Sequence, residues 1–154
     1  MQQAWGPGAV WLGERLPALF GAQDDPAGFE APAVLAATAK AHAGWRAGRT
    51  DRVLEALIPA ILEQKVTGKE AWLGWRTLVR EFGEPAPGGG AAPTTLWVFP
   101  APEVWRQIPS WAWHKASVDS KRSAAVLRAV EQVDALEAVT YGSAIDAHHR
   151  LRTI

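Results

Sequence analysis

Two amphipathic helices separated by a few polar residues are the strongest constraint on how this 154-residue chain can fold. Apolar side chains recur with the 3.6-residue period of an α-helix over residues 51–64, and again over residues 68–82. The apolar stripes are Leu54, Leu57, Ile58, Ile61 and Leu62 in the first segment, and Trp72, Trp75, Leu78, Val79 and Phe82 in the second. A connection of about three residues, Lys65-Val66-Thr67, typically joins antiparallel helices. The pattern therefore predicts a helical hairpin.

Helical patterns also cover most of the remaining sequence, and no convincing pair of alternating strands is found. Residues 83–100 are rich in glycine and proline and are expected to form a flexible loop, with a short extended piece at 96–99. Further helices are expected in six segments: 9–20, 32–43, 102–108, 110–115, 121–139 and 143 to the last residue. The indicated fold class is therefore all-α.

Short polar residues mark where several of these helices should begin. Thr50 is the expected N-cap of the helix at 51–64, because a hydroxyl can accept from the unpaired N–H groups of the first turn. Thr67 can cap the second helix of the hairpin in the same way. Ser110 is the expected cap of the helix at 110–115, and Asp119 or Ser120 is the expected cap of the helix at 121–139.

The composition excludes several classes of protein and of site. The chain has no cysteine, which excludes disulfides, thiolate zinc sites and a cysteine nucleophile. Sixteen basic and sixteen acidic residues rule out a polybasic tail and a polyanionic disordered chain. Neither a secretory signal nor an apolar run long enough to span a membrane is found, so the expected location is the cytoplasm.

Positive charge is concentrated in two blocks although the whole chain is neutral. Residues 104–128 contain five basic residues and one acidic residue, and residues 49–80 contain six basic and four acidic ones. Such blocks can form a phosphate-binding face, although charged helix faces are usually just solvated surfaces. Charge alone leaves both interpretations open.

Motifs for metal, phosphate or nucleophilic chemistry are not found. His148 and His149 are adjacent and so point in different directions on a helix, and His114 stands alone, which is typical of a structural histidine. No glycine-rich phosphate loop, no Ser/His/Asp set and no arranged pair of carboxylates is present. Neither a metal nor a cofactor is expected, and composition and spacing do not assign a function.

The hairpin and several later segments together resemble a known superfamily. The run from Val53 to Ala71, VLEALIPAILEQKVTGKEA, resembles the signature helical hairpin of the helix-hairpin-helix DNA glycosylases, in particular their 3-methyladenine (alkylbase-excising) branch. Further matching segments follow in the same order as in that family: 5–9 with Trp11, 82–85, 99–103 and 117–122. The resemblance covers about residues 4–154 and implies a multi-helix orthogonal bundle.

The resemblance implies base-excision repair, the hydrolytic removal of alkylated purines from double-stranded DNA. In the family, residues at the turn of this hairpin enter the DNA, and later segments face its backbone. Lys65 stands where many alkylbase-excising relatives carry an apolar wedge, and it can reach a phosphate instead. The implied DNA-binding residues are Gln64, Lys65, Thr67, Lys69, Lys121 and Arg122. An ordinary hairpin also places a polar residue such as Gln64 at a helix end, so its role stays open.

The resemblance also implies that the sequence is an incomplete portion of such an enzyme. In the family the last helix leads into a Pro-Gly-x-Gly hairpin followed by a catalytic aspartate, and that segment would lie beyond Ile154. Asp119, Asp134 and Asp146 lie in other segments, so no residue here takes that role. Residues 1–8 are expected to be the remnant of a preceding domain, and residues 9–154 a partial glycosylase domain.

Three functions are weighed on this basis. The first is a DNA glycosylase by family, inactive as this portion. The second is a non-catalytic helical module that binds DNA or a protein, and the third is a structural helical domain. The first two predict one basic face that contains Lys65, Lys69, Lys121 and Arg122, and apolar helix faces left exposed by truncation are expected to favour self-association.

Overall fold

The structure, a computed structural model, describes residue 4, residues 6–88 and residues 95–154. It divides the chain into two compact units, Met1–Thr50 and Asp51–Ile154, in place of the single domain expected over residues 9–154. Residues 1–3 and 5 of the expected remnant, and residues 89–94 of the expected loop, lie outside the described residues.

The first unit consists of two short helices joined by turns. Helix α1 spans Ala9–Leu19, and helix α2, Ala36–Ala41, follows a 3-10 turn over Ala33–Leu35. Among the described residues of this unit, the buried apolar side chain is that of Ala18 in α1. Many larger apolar side chains of its described residues are exposed: Val10, Trp11, Leu12, Leu19, Phe20, Phe29, Val34, Leu35 and Trp45. This unit therefore presents apolar surface.

The second unit contains the predicted hairpin and five further helices in its described part. The hairpin consists of α3, Val53–Leu62, and α4, Gly68–Phe82. The later elements are α5 Pro102–Gln107, α6 Ser110–Lys115, α7 Ser120–Glu131, α8 Val133–Glu137, a 3-10 turn Ala138–Tyr141, and α9 Ala144–Leu151. Mostly helical structure confirms the all-α class. The single helix expected at 121–139 is instead two helices and a turn, since Gln132 leaves helical geometry.

A two-residue antiparallel pair of strands lies inside the segment expected to be a flexible loop. Strand β1, Glu84–Pro85, pairs with β2, Trp97–Val98, in the register Glu84 to Val98. The backbone N–H of Ala86 donates to the carbonyl of Leu96 and extends the pairing. The extended piece at 96–99 is confirmed, and the expectation of no strand pair is wrong for these four residues.

The core of the second unit is built around stacked tryptophans. Trp105 is fully buried and stacks on Trp75 and Trp113, with ring centroids 6.2 and 5.8 Å away. Phe99 packs against Trp105 at 5.5 Å and joins the strand segment to this cluster. Offset aromatic pairs at these separations add to the free energy of burying their area. Three of the nine tryptophans are therefore explained by core packing.

Helix α4 buries the face that its apolar residues predict except at Trp72, since Leu78 and Val79 are buried and Trp75 and Phe82 pack against the core. Its buried residues include Ala71 and Gly74, while Trp72 is 53% exposed and stacks under the Arg76 guanidinium. The backbone of α4 approaches the end of α6 so closely that a Cβ on Gly74 would lie 2.8 Å from the Ala116 carbonyl oxygen. Small residues, Gly74 and Ala116, therefore form the contact between α4 and α6. Trp72 lies outside the buried stripe, so its assignment to that stripe is wrong.

The amino end of α3 is capped by a residue far away in the sequence. The Glu137 carboxylate, at the end of α8, accepts from the backbone N–H groups of Val53 and Leu54 at 2.9 and 3.0 Å. The residue at the N-cap position is Arg52, so the expectation that Thr50 caps this helix is wrong. A carboxylate also complements the positive end of the helix dipole. Helix α8 therefore fixes where the hairpin begins.

This arrangement predicts that Glu137→Ala lowers the free energy of unfolding by about 1–3 kcal/mol, because two partly buried N–H groups lose their acceptor. Glu137→Gln keeps one carbonyl oxygen and should lose less. Urea denaturation of both variants measures the effect, with Glu131→Ala as the control, because Glu131 is an exposed glutamate at the end of α7. Equal stabilities of Glu137→Ala and Glu131→Ala would contradict the capping role.

Candidate functional site

A cleft of about 470 Å³ lies in the second unit where the hairpin turn, α7 and the end of α9 meet. Its apolar lining, called the floor below, consists of Leu57, Ile61, Ala125, Leu151 and Ile154. Its polar rim consists of Gln64, Lys65, Asp119, Lys121, Arg122 and Arg128. Four of these rim residues are basic and one is acidic, so the rim carries a net positive charge.

Arg122 holds the two sides of the cleft together. Its side chain is buried, with 9% of the residue exposed. The guanidinium donates from Nη1 to the carbonyl of Leu62 at 2.8 Å and from Nη2 to that of Ser117 at 3.0 Å. Its Nε donates to Asp119 Oδ2 at 2.6 Å. One planar group therefore joins the end of α3, the turn after α6 and the start of α7.

Asp119 caps α7 and at the same time pairs with Arg122. Its Oδ1 accepts from the backbone N–H groups of Lys121 and Arg122 at 2.9 and 3.0 Å. The hydrogen bonds from the Arg122 side chain and backbone, with that of Lys121, lower the pKa of the Asp119 carboxyl to about 2 from 3.8. This residue confirms the first of the two expected caps for α7. The expectation that Ser110 caps α6 is wrong, because Pro109 stands at that N-cap position and no side chain caps the helix.

The two turns that bring these groups together both require left-handed backbone. Lys65, three residues after the end of α3, has φ of 59°, and Ser117, two residues after the end of α6, has φ of 57°. At Ser117 the N–H groups of Ser117 and Val118 bond back to the carbonyls of His114 and Trp113, a Schellman motif. Lys65 is itself the left-handed residue of the hairpin turn, and its side chain lines the cleft.

Thr67 forms a capping box with Glu70 at the start of α4 and does not line the cleft. Its hydroxyl accepts from the N–H of Glu70, and its own N–H donates to the Glu70 carboxylate at 2.9 Å. These hydrogen bonds from Thr67 lower the pKa of Glu70. The expected cap on α4 is confirmed.

The structure brings together four of the six residues expected to bind DNA. Gln64, Lys65, Lys121 and Arg122 line the cleft, whereas Thr67 and Lys69 lie outside it. Lys65 and Lys121 are exposed, and in the described part of the chain their ammonium groups have no hydrogen-bond or ion-pair partner. Arg122 is buried with its nitrogens bound to protein, so it supports the basic surface instead of forming part of it.

Arg128 belongs to the cleft and is absent from the expected set. Lys121, Ala125 and Arg128 lie four and three residues apart on α7, so they share one helix face. That spacing was the available signal for including Arg128. Its Nε donates to the backbone oxygen of Ile154 at 2.9 Å, which holds the guanidinium at the rim.

The cleft combines exposed cations with an apolar floor. Lys65, Lys121 and Arg128 can contact anionic oxygens, while the floor can accept an apolar surface such as a sugar or base face. The lining residues include one acidic side chain, Asp119, and Arg122 already neutralises it. This chemistry favours binding of a polyanion.

Comparison with family models, with curated proteins and with solved structures gives no match for this chain. Among the described residues, no helix has the length and apolarity needed to cross a membrane. The same residues contain no group of three histidine or acidic side chains placed to hold a metal ion.

We expect Arg122→Met to lower the free energy of unfolding by about 1–3 kcal/mol for each buried carbonyl that loses its donor. Arg122→Lys retains a charge but cannot reach three acceptors, so it should also destabilise the chain. Lys121→Met, a substitution at the exposed neighbour, is the matched control and should change stability by less than about 0.5 kcal/mol. Wild-type stability of Arg122→Lys in urea denaturation would contradict the three-way role.

The lowered pKa of Asp119 also predicts how stability depends on pH. Because the folded-state pKa is about 2 and the ordinary value is 3.8, this contribution is complete above 3.8. It is lost as pH falls from there towards 2, since protonation then favours the unfolded chain. The stability difference between wild type and Asp119→Asn should therefore shrink across this interval in urea titrations. A difference that stays constant with pH would refute the assignment.

Proposed function

We propose that residues 51–154 bind duplex DNA through the basic cleft, as the DNA-binding part of a base-excision glycosylase of the helix-hairpin-helix type. One observation carries the proposal. Lys65 in the hairpin turn and Lys121 on α7 are far apart in the sequence, and both line one cleft. The resemblance of the hairpin to alkylbase-excising glycosylases assigns these same two segments to DNA contact.

The charge arrangement supports phosphate contact more than base readout. Lys65 and Lys121 present ammonium groups without protein partners among the described residues, and Arg128 adds a guanidinium at the same rim. Contacts of this kind position a protein on DNA and carry no sequence information by themselves. Binding should therefore be weak, independent of sequence and strongly dependent on salt.

Gln64 is the rim residue suited to a different contact. Its amide can both donate and accept, and it lies beside Lys65 above the apolar floor of the cleft. A side chain of this kind can hydrogen-bond a base edge or sugar once the ammonium groups hold the backbone. We assign Gln64 to this contact, and Lys65 to a phosphate in place of an apolar wedge.

The cleft does not supply the group that base excision requires. Breaking the N-glycosidic bond builds positive charge on the sugar, and a placed negative charge is the usual stabilising device. Asp119 is the acidic side chain lining the cleft, and its carboxylate is bound by Arg122 and by two backbone N–H groups. We therefore infer that these 154 residues bind DNA without excising bases.

The second candidate is a helical module that binds a protein partner. The exposed Trp72 and Leu73 on α4 favour it, because adjacent exposed apolar residues are common at protein interfaces. The two candidates differ in which surface matters, since Trp72 does not line the basic cleft.

The first test measures binding of a labelled 20-base-pair duplex by fluorescence anisotropy over a range of salt concentrations. Each of Lys65→Asn, Lys121→Gln and Arg128→Gln should weaken binding and lower the slope of log K against log[salt] by about 1. Asparagine is chosen at Lys65 because it tolerates the left-handed backbone there.

Arg80→Gln is the matched control, because it removes an exposed cation on α4 that does not line the cleft. Its affinity and salt slope should equal those of the wild type. Lys69→Gln measures whether the DNA surface extends to the start of α4. Binding that ignores salt, or equal losses from Arg80→Gln and Lys121→Gln, would contradict the proposed cleft.

The second test measures release of 3-methyladenine and 7-methylguanine from alkylated DNA with and without the chain. Release should equal the spontaneous background, because Asp119, the acidic side chain that lines the cleft, is already bound by Arg122 and by two backbone N–H groups. Release above background that is abolished by Gln64→Ala or Asp119→Asn would show that the active site is present and that our assignment of Asp119 to a purely structural role is wrong.

A further inference from the structure

A second cleft, of about 780 Å³, lies within the first unit and takes no part in the proposed DNA binding. Its volume falls in the range of small-molecule sites, which is about 300–1,000 Å³. It is formed by the turn after α1, helix α2 and the segment that follows α2. All its lining residues belong to residues 24–45.

Two exposed aromatic rings form its walls. Phe29 is 67% exposed and Trp45 is 71% exposed, and neither ring stacks on the other. Leu35 and Ala39 supply further apolar lining. Exposed aromatic faces that line one cleft are available to a ligand that can insert between or against them.

The same cleft is negatively charged. Asp24 and Asp25 line it, and no lysine or arginine does. Each carboxylate uses one oxygen locally, since Asp24 Oδ2 accepts from the Ala47 N–H at 2.8 Å and Asp25 Oδ1 accepts from the Ala27 N–H at 3.0 Å. These bonds fix both side chains and leave the second oxygen of each without a protein partner in the described part of the chain.

The arginine next to Trp45 does not pair with these carboxylates. The guanidinium of Arg46, which adjoins Trp45, donates to the backbone carbonyls of Ala43 and Trp45 at 3.0 and 2.8 Å. His42 is the other titratable lining residue. The cleft therefore combines aromatic faces with two carboxylates that form no ion pair in the described part of the chain.

We propose that this cleft binds a hydrophobic organic cation, an ammonium group that carries aromatic or alkyl substituents. The negative faces of Phe29 and Trp45 attract such a cation, and the free carboxylate oxygens of Asp24 and Asp25 complement its charge. An anion would be repelled, and a neutral apolar molecule would gain nothing from the carboxylates. This site goes beyond the proposed DNA function and does not depend on it.

The test titrates the full chain with three probes of similar size by isothermal calorimetry. Benzyltrimethylammonium is the cation, benzyl alcohol is the neutral probe and phenylacetate is the anion. Since a cation over an aromatic ring gains the equivalent of about 3- to 30-fold in affinity, the cation should bind at least that much tighter than the alcohol. Phenylacetate should show no binding. Equal affinity for cation and alcohol would overturn the proposal without any variant.

Variants then locate the site. Phe29→Ala and Trp45→Ala should each weaken binding of the cation by about 3- to 30-fold. Phe20→Ala is the matched control, because Phe20 is 70% exposed in the same unit and does not line the cleft. Asp25→Asn keeps the oxygen that accepts from the Ala27 N–H. It should weaken binding of the cation but not of benzyl alcohol, and Glu30→Gln is its control.

Equal losses in Phe20→Ala and Phe29→Ala would overturn the site, because they would indicate general apolar adsorption. Self-association through the cleft would overturn it too. It would appear as nuclear magnetic resonance shifts of residues 24–45 that grow with protein concentration, together with loss of probe binding, since a second copy would then cover the cleft. The DNA titrations use other residues, so failure here leaves the DNA proposal standing.

Discussion

The hydrogen bonds of the Arg122 guanidinium are the interaction on which the second unit depends. Three segments end or begin at this group: α3 through Leu62, the turn after α6 through Ser117, and α7 through Asp119. Each would leave an unpaired polar group beside the core if the arginine were absent. Lysine cannot replace it, because a point charge on a flexible stem lacks the planar fork of donors.

This buried arginine also explains why a chain with no net charge can present a basic cleft. Arg122 is bonded to Asp119, so the acidic side chain that lines the cleft is neutralised there. Lys65, Lys121 and Arg128 then supply the positive charge at the rim, and the described lining contains no second acidic side chain. The capping of α3 by Glu137 holds the other end of the same helix. The hydrogen bonds of Arg122 therefore determine both the geometry of the cleft and its positive charge.

Local patterns predicted the elements of this fold well and their contacts less well. Helix α4 and its capping box follow directly from Thr67, Glu70 and the 3.6-residue period. The cap of α3 could not be predicted, because Glu137 is 84 residues from Val53 and nothing local marks the pair. The prediction that Trp72 is buried was wrong. The close approach of α4 to the end of α6 at Gly74 requires a residue without a side chain, and apolarity does not signal such a position.

The candidate site shows the same division. Four of the six residues that the resemblance selected, Gln64, Lys65, Lys121 and Arg122, line one cleft, but the resemblance could not separate the exposed cations from the buried one. That distinction depends on carbonyl groups of Leu62 and Ser117, which carry no sequence signal. The aromatic cleft of the first unit also escaped prediction, because its walls, Phe29 and Trp45, lie in turns without periodicity.

The measurement that tests the central claim most directly is a nuclear magnetic resonance titration of the isotope-labelled chain with a short DNA duplex. The account predicts that the largest shifts occur at Gln64, Lys65, Lys121 and Arg128. It also predicts that the Arg122 Nε–H, held by Asp119, exchanges slowly with water before and after DNA is added. Shifts centred outside the cleft, or an Arg122 Nε–H that exchanges as fast as that of Arg80, would contradict it.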